Sequence, residues 1–322
     1  MLISDYFMEV DGDKICTVCP HQCRLSVGKV GRCGVRKATD EAIVCLNYGH
    51  ITAVALDPIE KKPIFHYKPG TSVLSIGSMG CNMNCPFCQN YHIAKTLSAD
   101  YTVHSPEDMV RLLQSYPKEI GLAFTYNEPL VSIEFVIETA RLAKEAGRFV
   151  VVVTNGMVSE TCLMDLIPYV DAWNIDLKSY SSSDYDQLGG EFEAVKSTIE
   201  LCSRHAHVEV TSLIVTGFND HLKEWESVFS WLKGLGGMIP LHLSRYYPSY
   251  HYHEKETDVE LLKELYRLAK TYLDYVYIGN VFGISNDTYC KKCGVLMAER
   301  DIYQTKLYHY ACPSCGEKVF IE

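Results

Sequence analysis

The chain has 322 residues, 30 of them basic and 40 acidic, for a net charge of −10. That balance argues against nonspecific binding to nucleic acid or to an anionic membrane. No apolar run approaches the roughly 20 residues of a spanning helix, and Met1–Glu9 is mixed and acidic, unlike a signal peptide, so a cytoplasmic protein is expected. Fourteen cysteines in such a chain point to metal ligation more than to disulfides. Eleven of them fall into three tight groups, while Cys45, Cys162 and Cys202 stand apart and read as small buried apolar residues.

The first group, Cys16, Cys19, Cys23 and Cys33, lies in CTVCPHQCRLSVGKVGRCG. Four thiolates can close a tetrahedral zinc site or hold an iron–sulfur cluster, and the spacing does not choose between them. His21, beside Pro20, reads as a surface residue. Residues 1–65 are expected to form this four-cysteine module and a lead-in.

An apolar run, Ser72–Gly77, then reads as a buried strand and leads into CNMNCPFCQNY. Cys81, Cys85 and Cys88 stand there as Cys-x3-Cys-x2-Cys. Three thiolates on one short loop can hold three irons of a 4Fe–4S cube and leave the fourth open to a small molecule. The rival readings are a structural zinc site lacking its fourth ligand, or reduced core cysteines.

Strands and helices alternate from here. Leu122–Tyr126, Phe149–Val153, Trp173–Leu177, Val208–Val215 and Leu241–Leu243 read as strands, with Val276–Ile278 as a further edge strand. Helices are expected near Pro106–Ser115, up to about Gly147, and near Val195–Ser203, Leu222–Lys233 and Val259–Tyr272. Five apolar residues in a row at Phe149–Val153 suit a parallel strand covered on both faces. The alternation predicts an α/β fold, a partial (β/α)6 TIM-like barrel over residues 66–282, with a doubly wound sheet as the alternative. In such a barrel the chemistry sits at the C-terminal ends of the strands. The expected exits carry polar residues: TYNEP at 125–129, Thr154-Asn155-Gly156, Asp176-Leu177-Lys178, Thr216-Gly217-Phe218-Asn219-Asp220, then His242 and Arg245. Asn155-Gly156 alone is a common turn and Asn219-Asp220 a common helix cap. Tyr246, Tyr247, Tyr250 and Tyr252 are candidates for a substrate entrance or for ordinary aromatic anchors.

Residues 283–322 hold two Cys-x2-Cys knuckles, Cys290/Cys293 and Cys312/Cys315, around alternating short strands. This is a zinc-ribbon or rubredoxin-like pattern, and closure by four thiolates means structural zinc (or iron).

On these motifs the chain resembles the radical S-adenosylmethionine (SAM) superfamily. Ser72–Val281 looks like its pyruvate formate-lyase activating enzyme branch. The whole chain, with CxxCPHxC, IPLHLSRYYP and the terminal ribbon, is similar to the radical SAM member of the AmmeMemoRadiSam group. The resemblance implies that Cys81, Cys85 and Cys88 hold a 4Fe–4S cluster and that Phe87 lies near the adenine of SAM. It further implies that Glu128 accepts a hydrogen bond from the SAM amino group, in place of the family's glycine-glycine-glutamate motif, with Tyr126 and Asn127 where the glycines stand. Thr154, Asn155, Asp176 and Lys178 match third- and fourth-strand motif positions, and His242 would approach the methionyl end or the substrate. Val153 stands where the activases carry an aspartate, so their monovalent-cation site is not expected here. The implied partners are a reductant such as flavodoxin or ferredoxin, and Memo-like and AMMECR-like proteins. The expected chemistry is reductive cleavage of SAM to a 5′-deoxyadenosyl radical acting on an unidentified substrate. Activation of a glycyl-radical enzyme is the alternative, and a non-catalytic iron–sulfur carrier is the alternative of another class.

Overall fold

A computed structural model describes residues 2–236 and 238–322. The apolar runs become one eight-stranded sheet. Its strands, side by side in chain order, are β1 (Ala53–Pro58), β2 (Ser72–Gly77), β3 (Gly121–Phe124), β4 (Val150–Thr154), β5 (Ala172–Asp176), β6 (His207–Ile214), β7 (Leu241–Arg245) and β8 (Val276–Gly279). Strands β2 to β8 are all parallel, whereas β1 runs antiparallel along β2. Successive parallel strands are joined through α1 (Pro106–Gln114), α2 (Ile133–Glu145), α3 (Glu160–Leu166), α4 (Phe192–Ser203), α5 (Trp225–Gly234) and α6 (Val259–Lys270). This is the expected partial (β/α)6 barrel with an added edge strand.

Local chemistry explains the elements. Val150, Val151 and Val152 are fully buried, as a β-branched run covered on both faces should be. Helix α1 starts at a reciprocal capping box between Ser105 and Asp108. Helix α6 turns Leu262, Leu265 and Ala269 inward. The antiparallel strand β1 lies within the expected lead-in and was not foreseen as part of the sheet.

The N-terminal segment folds into two small antiparallel sheets. One joins Phe7–Val10, Asp13–Cys16 and Arg24–Leu25, and the other joins Leu2–Ile3, Ile43–Cys45 and Arg36–Ala38. Its anchor on the barrel is a buried ion pair. Arg36, 1% exposed, donates from Nη1 and Nη2 to the two carboxylate oxygens of Glu134 on α2, both at 2.6 Å. Its Nε donates to the Val131 carbonyl at 2.8 Å, and Ser4 Oγ donates to Glu134 Oε1 at 2.6 Å. Burial opposes the Glu134 charge, yet the Arg36 guanidinium holds its carboxyl below the usual range.

The C-terminal segment forms a three-stranded sheet, Thr288–Tyr289, Leu296–Asp301 and Gln304–Leu307. Met297, Ala298, Val319 and Phe320 pack on Phe65, Tyr275 and Tyr277 of the barrel. This ribbon bridges the barrel's open side. Asn286 pairs through its side-chain amide with both backbone groups of Ile278 on the β8 edge. At the opposite flank Thr305 Oγ1 donates to Glu60 Oε1 at 2.6 Å, and Arg300 Nη2 donates to the Phe65 carbonyl at 2.8 Å.

Truncating one partner of the Arg36–Glu134 pair should cost about 3–5 kcal/mol, because the other charge is left buried and unpaired. Urea unfolding of Glu134→Ala should show that loss, and Arg36→Met/Glu134→Ala should recover a large part of it. Equal losses in the single and double variants would contradict the assignment.

Candidate functional site

Because β2 to β8 are parallel, all their C-terminal ends open at one mouth. The loop after β2, Ser78–Asn90, carries Cys81, Cys85 and Cys88 across it. Backbone bonds from neighbouring elements hold this loop. Asn127 Nδ2 donates to the Met79 and Gly80 carbonyls, each at 3.1 Å, and its Oδ1 accepts from the Ser78 amide at 2.9 Å. Lys95 Nζ donates to the Met83 carbonyl, Ser249 Oγ donates to the Cys88 carbonyl at 3.1 Å, and the His251 amide donates to the Pro86 carbonyl at 2.9 Å. The three thiols border a cavity of about 740 Å³. That lies within the range of small-molecule sites, about 300–1,000 Å³. Burial pushes the Cys81 thiol up to about 12 and raises that of Cys85 too. Thiolates there would require a compensating cation.

Every residue expected at the SAM site borders this cavity. From the strand ends come Glu128, Thr154, Asn155, Asp176 and Lys178, from within β7 His242, and from the cysteine loop Phe87. Glu128 is buried at 3% exposure and anchored on both oxygens. Its Oε1 accepts from Thr154 Oγ1 at 2.7 Å and the Leu130 amide at 3.0 Å, and its Oε2 accepts from the Asn155 amide at 2.8 Å. Burial pushes its carboxyl up to about 7 against those bonds, with Asp176 adding to the rise. Asn155 Nδ2 reaches Cys81 Sγ at 3.6 Å and donates to Asn82 Oδ1 at 3.0 Å. Lys178 Nζ donates to Asp176 Oδ2 at 2.6 Å. Burial works against the Lys178 charge, but Asp176 and Cys85 more than offset it and raise its pKa. Phe87 packs against Phe218 and Tyr252, with ring centroids at 5.4 and 5.9 Å.

Tyr126 resolves the substitution of the glycine motif. Its φ is +75°, in the left-handed region that glycine favours. Three contacts hold it there: its hydroxyl donates to Asp57 Oδ2 at 2.6 Å, Asn90 Nδ2 donates to its carbonyl at 2.7 Å, and Lys62 Nζ lies 4.4 Å from its ring centroid.

Other residues depart from expectation. Asn219 is buried and ties strand exits together, accepting from the Val215 amide and donating to the Lys178 and Leu213 carbonyls, so it does not border the cavity. Arg245 donates to the Thr257 carbonyl instead. Tyr246 is fully buried, and none of Tyr246, Tyr247, Tyr250 and Tyr252 borders the cavity; Tyr126, Phe282 and Tyr303 do. His21 is half-buried, with Nε2 2.8 Å from the Asn82 carbonyl. Beneath His242 sits a residue the sequence reading missed. Buried Glu209 accepts from His242 Nε2 at 2.6 Å, His207 Nε2 at 2.9 Å, and the Phe65 and His66 amides at 2.7 and 2.6 Å. Burial opposes the Glu209 charge, but the two imidazoles hold its carboxyl well below the usual range. A lone acid inside the apolar run HVEVTSLI was the available signal.

At the C-terminus the four ribbon thiols converge. Sγ of Cys290 and Cys315 are 3.5 Å apart, those of Cys293 and Cys312 3.3 Å, and all four lie within 4.8 Å of one another. The amides of Gly294 and Gly316 close the knuckles onto the Cys290 and Cys312 carbonyls at 2.8 and 2.9 Å, with φ of +73° and +72°. This arrangement fits a structural zinc ion. The ribbon also reaches the mouth, because Arg300, Asp301, Ile302 and Tyr303 form part of the cavity wall.

Comparison with known proteins agrees with this architecture. Residues 75–232 match the family model described as Radical SAM superfamily. An uncharacterized protein of Methanocaldococcus jannaschii is 36% identical over 98% of both chains. A putative glycyl-radical enzyme activating enzyme of the same organism is 26% identical over 63% of this chain and 87% of its own. Among solved structures, a radical SAM methyltransferase from Sphaerobacter thermophilus superposes with a TM-score of 0.50 at 16% identity, over 71% of each chain.

A metal held by these thiols should stabilise both the ribbon and the cavity wall that it forms. Cys293→Ser should lower bound zinc and the Tm together, and should increase protease cleavage at Asp301–Gln304; an unchanged Tm with zinc lost would contradict the structural role.

Proposed function

The chain belongs to the radical SAM superfamily, and from that premise we propose that Cys81, Cys85 and Cys88 hold a 4Fe–4S cluster at which S-adenosylmethionine is reductively cleaved. The observation that carries this reading is the convergence of three thiols on one loop with polar residues from four strands around a single cavity. Held by these three thiolates, a 4Fe–4S cluster would supply the electron for reductive cleavage of the sulfur–C5′ bond of SAM, which would yield methionine and a 5′-deoxyadenosyl radical able to take hydrogen from the substrate. The protein's part is binding, orientation and exclusion of water. Glu128 accepts from the SAM amino group with its remaining lone pairs. Thr154 and the Asn155 amide fix that carboxylate, and the Asn155 side chain steadies Cys81. Phe87 offers an apolar face to the adenine. Lys178, paired with Asp176, places a fixed cation beside Cys85, and His242, oriented by Glu209, faces the methionyl end or the substrate.

The electron comes from a carrier such as flavodoxin or ferredoxin in a cytoplasmic setting. No helix among the described residues is long and apolar enough to cross a membrane. The substrate is a small molecule or flexible chain segment that fits beneath Phe282 and Tyr303, processed together with Memo-like and AMMECR-like partners. Activation of a glycyl-radical enzyme is the second reading. The 26% identity to a putative activating enzyme favours it, and a glycyl EPR signal in a partner protein would establish it.

Cys85→Ala should abolish formation of 5′-deoxyadenosine under anaerobic reduction while far-UV circular dichroism stays unchanged; retained cleavage would contradict the cluster assignment. SAM affinity should also depend on pH. The hydrogen bond from the SAM amino group is charge-assisted only while Glu128 is ionised, so affinity falls as pH drops through about 7. Between pH 8 and 6 the fall should approach tenfold, roughly one decade per unit below the pKa. Isothermal titration of Glu128→Gln should show weaker binding without that slope.

A further inference from the structure

The four N-terminal thiols differ in spacing from the ribbon's, and spacing discriminates between metals. Tetrahedral zinc with Zn–S of about 2.3 Å brings every pair of sulfurs to about 3.8 Å. The ribbon thiols all lie within 4.8 Å of one another, and no other group of three or more ligand atoms does so among the described residues. Cys16, Cys19, Cys23 and Cys33 nevertheless surround one enclosed space. A cubane cluster spreads its ligands in this way, because each thiolate binds a different iron. Cys81, Cys85 and Cys88 share the wider spacing and border the SAM cavity. The N-terminal set therefore groups with them and not with the ribbon. Buried Arg36 borders the same space and offers a fixed positive charge to an anionic cluster.

The two cysteine sites are one residue layer apart. The Asn82 side chain faces Cys19, and Asn155 links Asn82 Oδ1 at 3.0 Å to Cys81 Sγ at 3.6 Å. The Gly80 backbone abuts Cys33 so closely that a Cβ there would stand 2.8 Å from the Cys33 carbonyl oxygen. On the outer side Lys29 and Arg32 are exposed, with no acidic partner among the described residues, beside exposed Val27 and Val30. In a chain of net charge −10 this basic and apolar face suits docking of an acidic carrier.

We propose that Cys16, Cys19, Cys23 and Cys33 hold a second 4Fe–4S cluster that relays electrons to the site at Cys81, Cys85 and Cys88. It takes one electron from a reduced flavin or iron–sulfur carrier protein, passing from the 2+ to the 1+ state. Transfer of that electron past Asn82 returns it to 2+ and reduces the neighbouring site by one. Only the electron's destination rests on the function proposed above; the metal assignment stands apart from it.

The first test uses the full chain with Cys81→Ala, Cys85→Ala and Cys88→Ala combined, reconstituted anaerobically with iron and sulfide. It should hold about four irons and one zinc, with a 4Fe–4S EPR signal on reduction that SAM leaves unchanged. Two zincs and no cluster would overturn the assignment, whether or not the wild type cleaves SAM. The second test compares wild type with Cys19→Ala, using reduced flavodoxin or dithionite as donor. The ratio of flavodoxin-driven to dithionite-driven SAM cleavage should fall at least about tenfold. An unchanged ratio would overturn the relay.

Discussion

An open parallel sheet has two unpaired edges, and the architecture of this protein is organised around closing them. Exposed strand edges leave backbone donors and acceptors without partners and invite wrong pairing. On one side β1 folds back antiparallel along the whole of β2, from Ala53↔Gly77 to Pro58↔Ser72. On the other side, β8 is bounded by the Asn286 side chain, which engages both backbone groups of Ile278. The flank between them is spanned by the ribbon, through Arg300 to Phe65 and Thr305 to Glu60.

That solution ties the remote cysteine knuckles to the central cavity. The ribbon, placed across the open flank, leaves its hairpin, Asp301–Gln304, at the cavity mouth. The N-terminal module does the same from the other side, locked to α2 by Arg36 and Glu134 and abutting the cysteine loop at Gly80. Both ends of the chain thus shape the site that the central barrel presents. Low solvent access strengthens the polar contacts around it, including the Lys178–Asp176 ion pair and the hydrogen bond between His242 and Glu209.

Much of this was legible from residues alone. Apolar runs such as VVVV at 150–153 give buried parallel strands, and the spacing of Cys81, Cys85 and Cys88 marks the loop that borders the cavity, because both signals are local. What escaped depends on distant packing. Ala53–Pro58 carries an alternating, half-exposed pattern, with Val54 and Leu56 facing solvent, and nothing local says that it joins the main sheet. Tyr126 is held in a glycine-like backbone conformation partly by Asp57, 69 residues earlier, and by Lys62, which engage its side chain. Glu209 looks like an outlier in its strand until the barrel brings His242 and the Phe65 and His66 amides to it. The tyrosine-rich stretch at 246–252 suggested an entrance, but its hydroxyls serve the fold: Tyr246 reaches the Tyr252 carbonyl and Tyr252 the Thr216 carbonyl.

The central claim is that an iron held by Cys81, Cys85 and Cys88 offers an open site to SAM. EPR of the anaerobically reduced protein, recorded with and without SAM carrying a 15N-labelled amino group, tests it most directly. The account predicts that SAM shifts the 4Fe–4S signal and that ENDOR detects a hyperfine coupling from the labelled nitrogen. A fully reconstituted cluster whose spectrum is indifferent to SAM, with no nitrogen coupling, would contradict it.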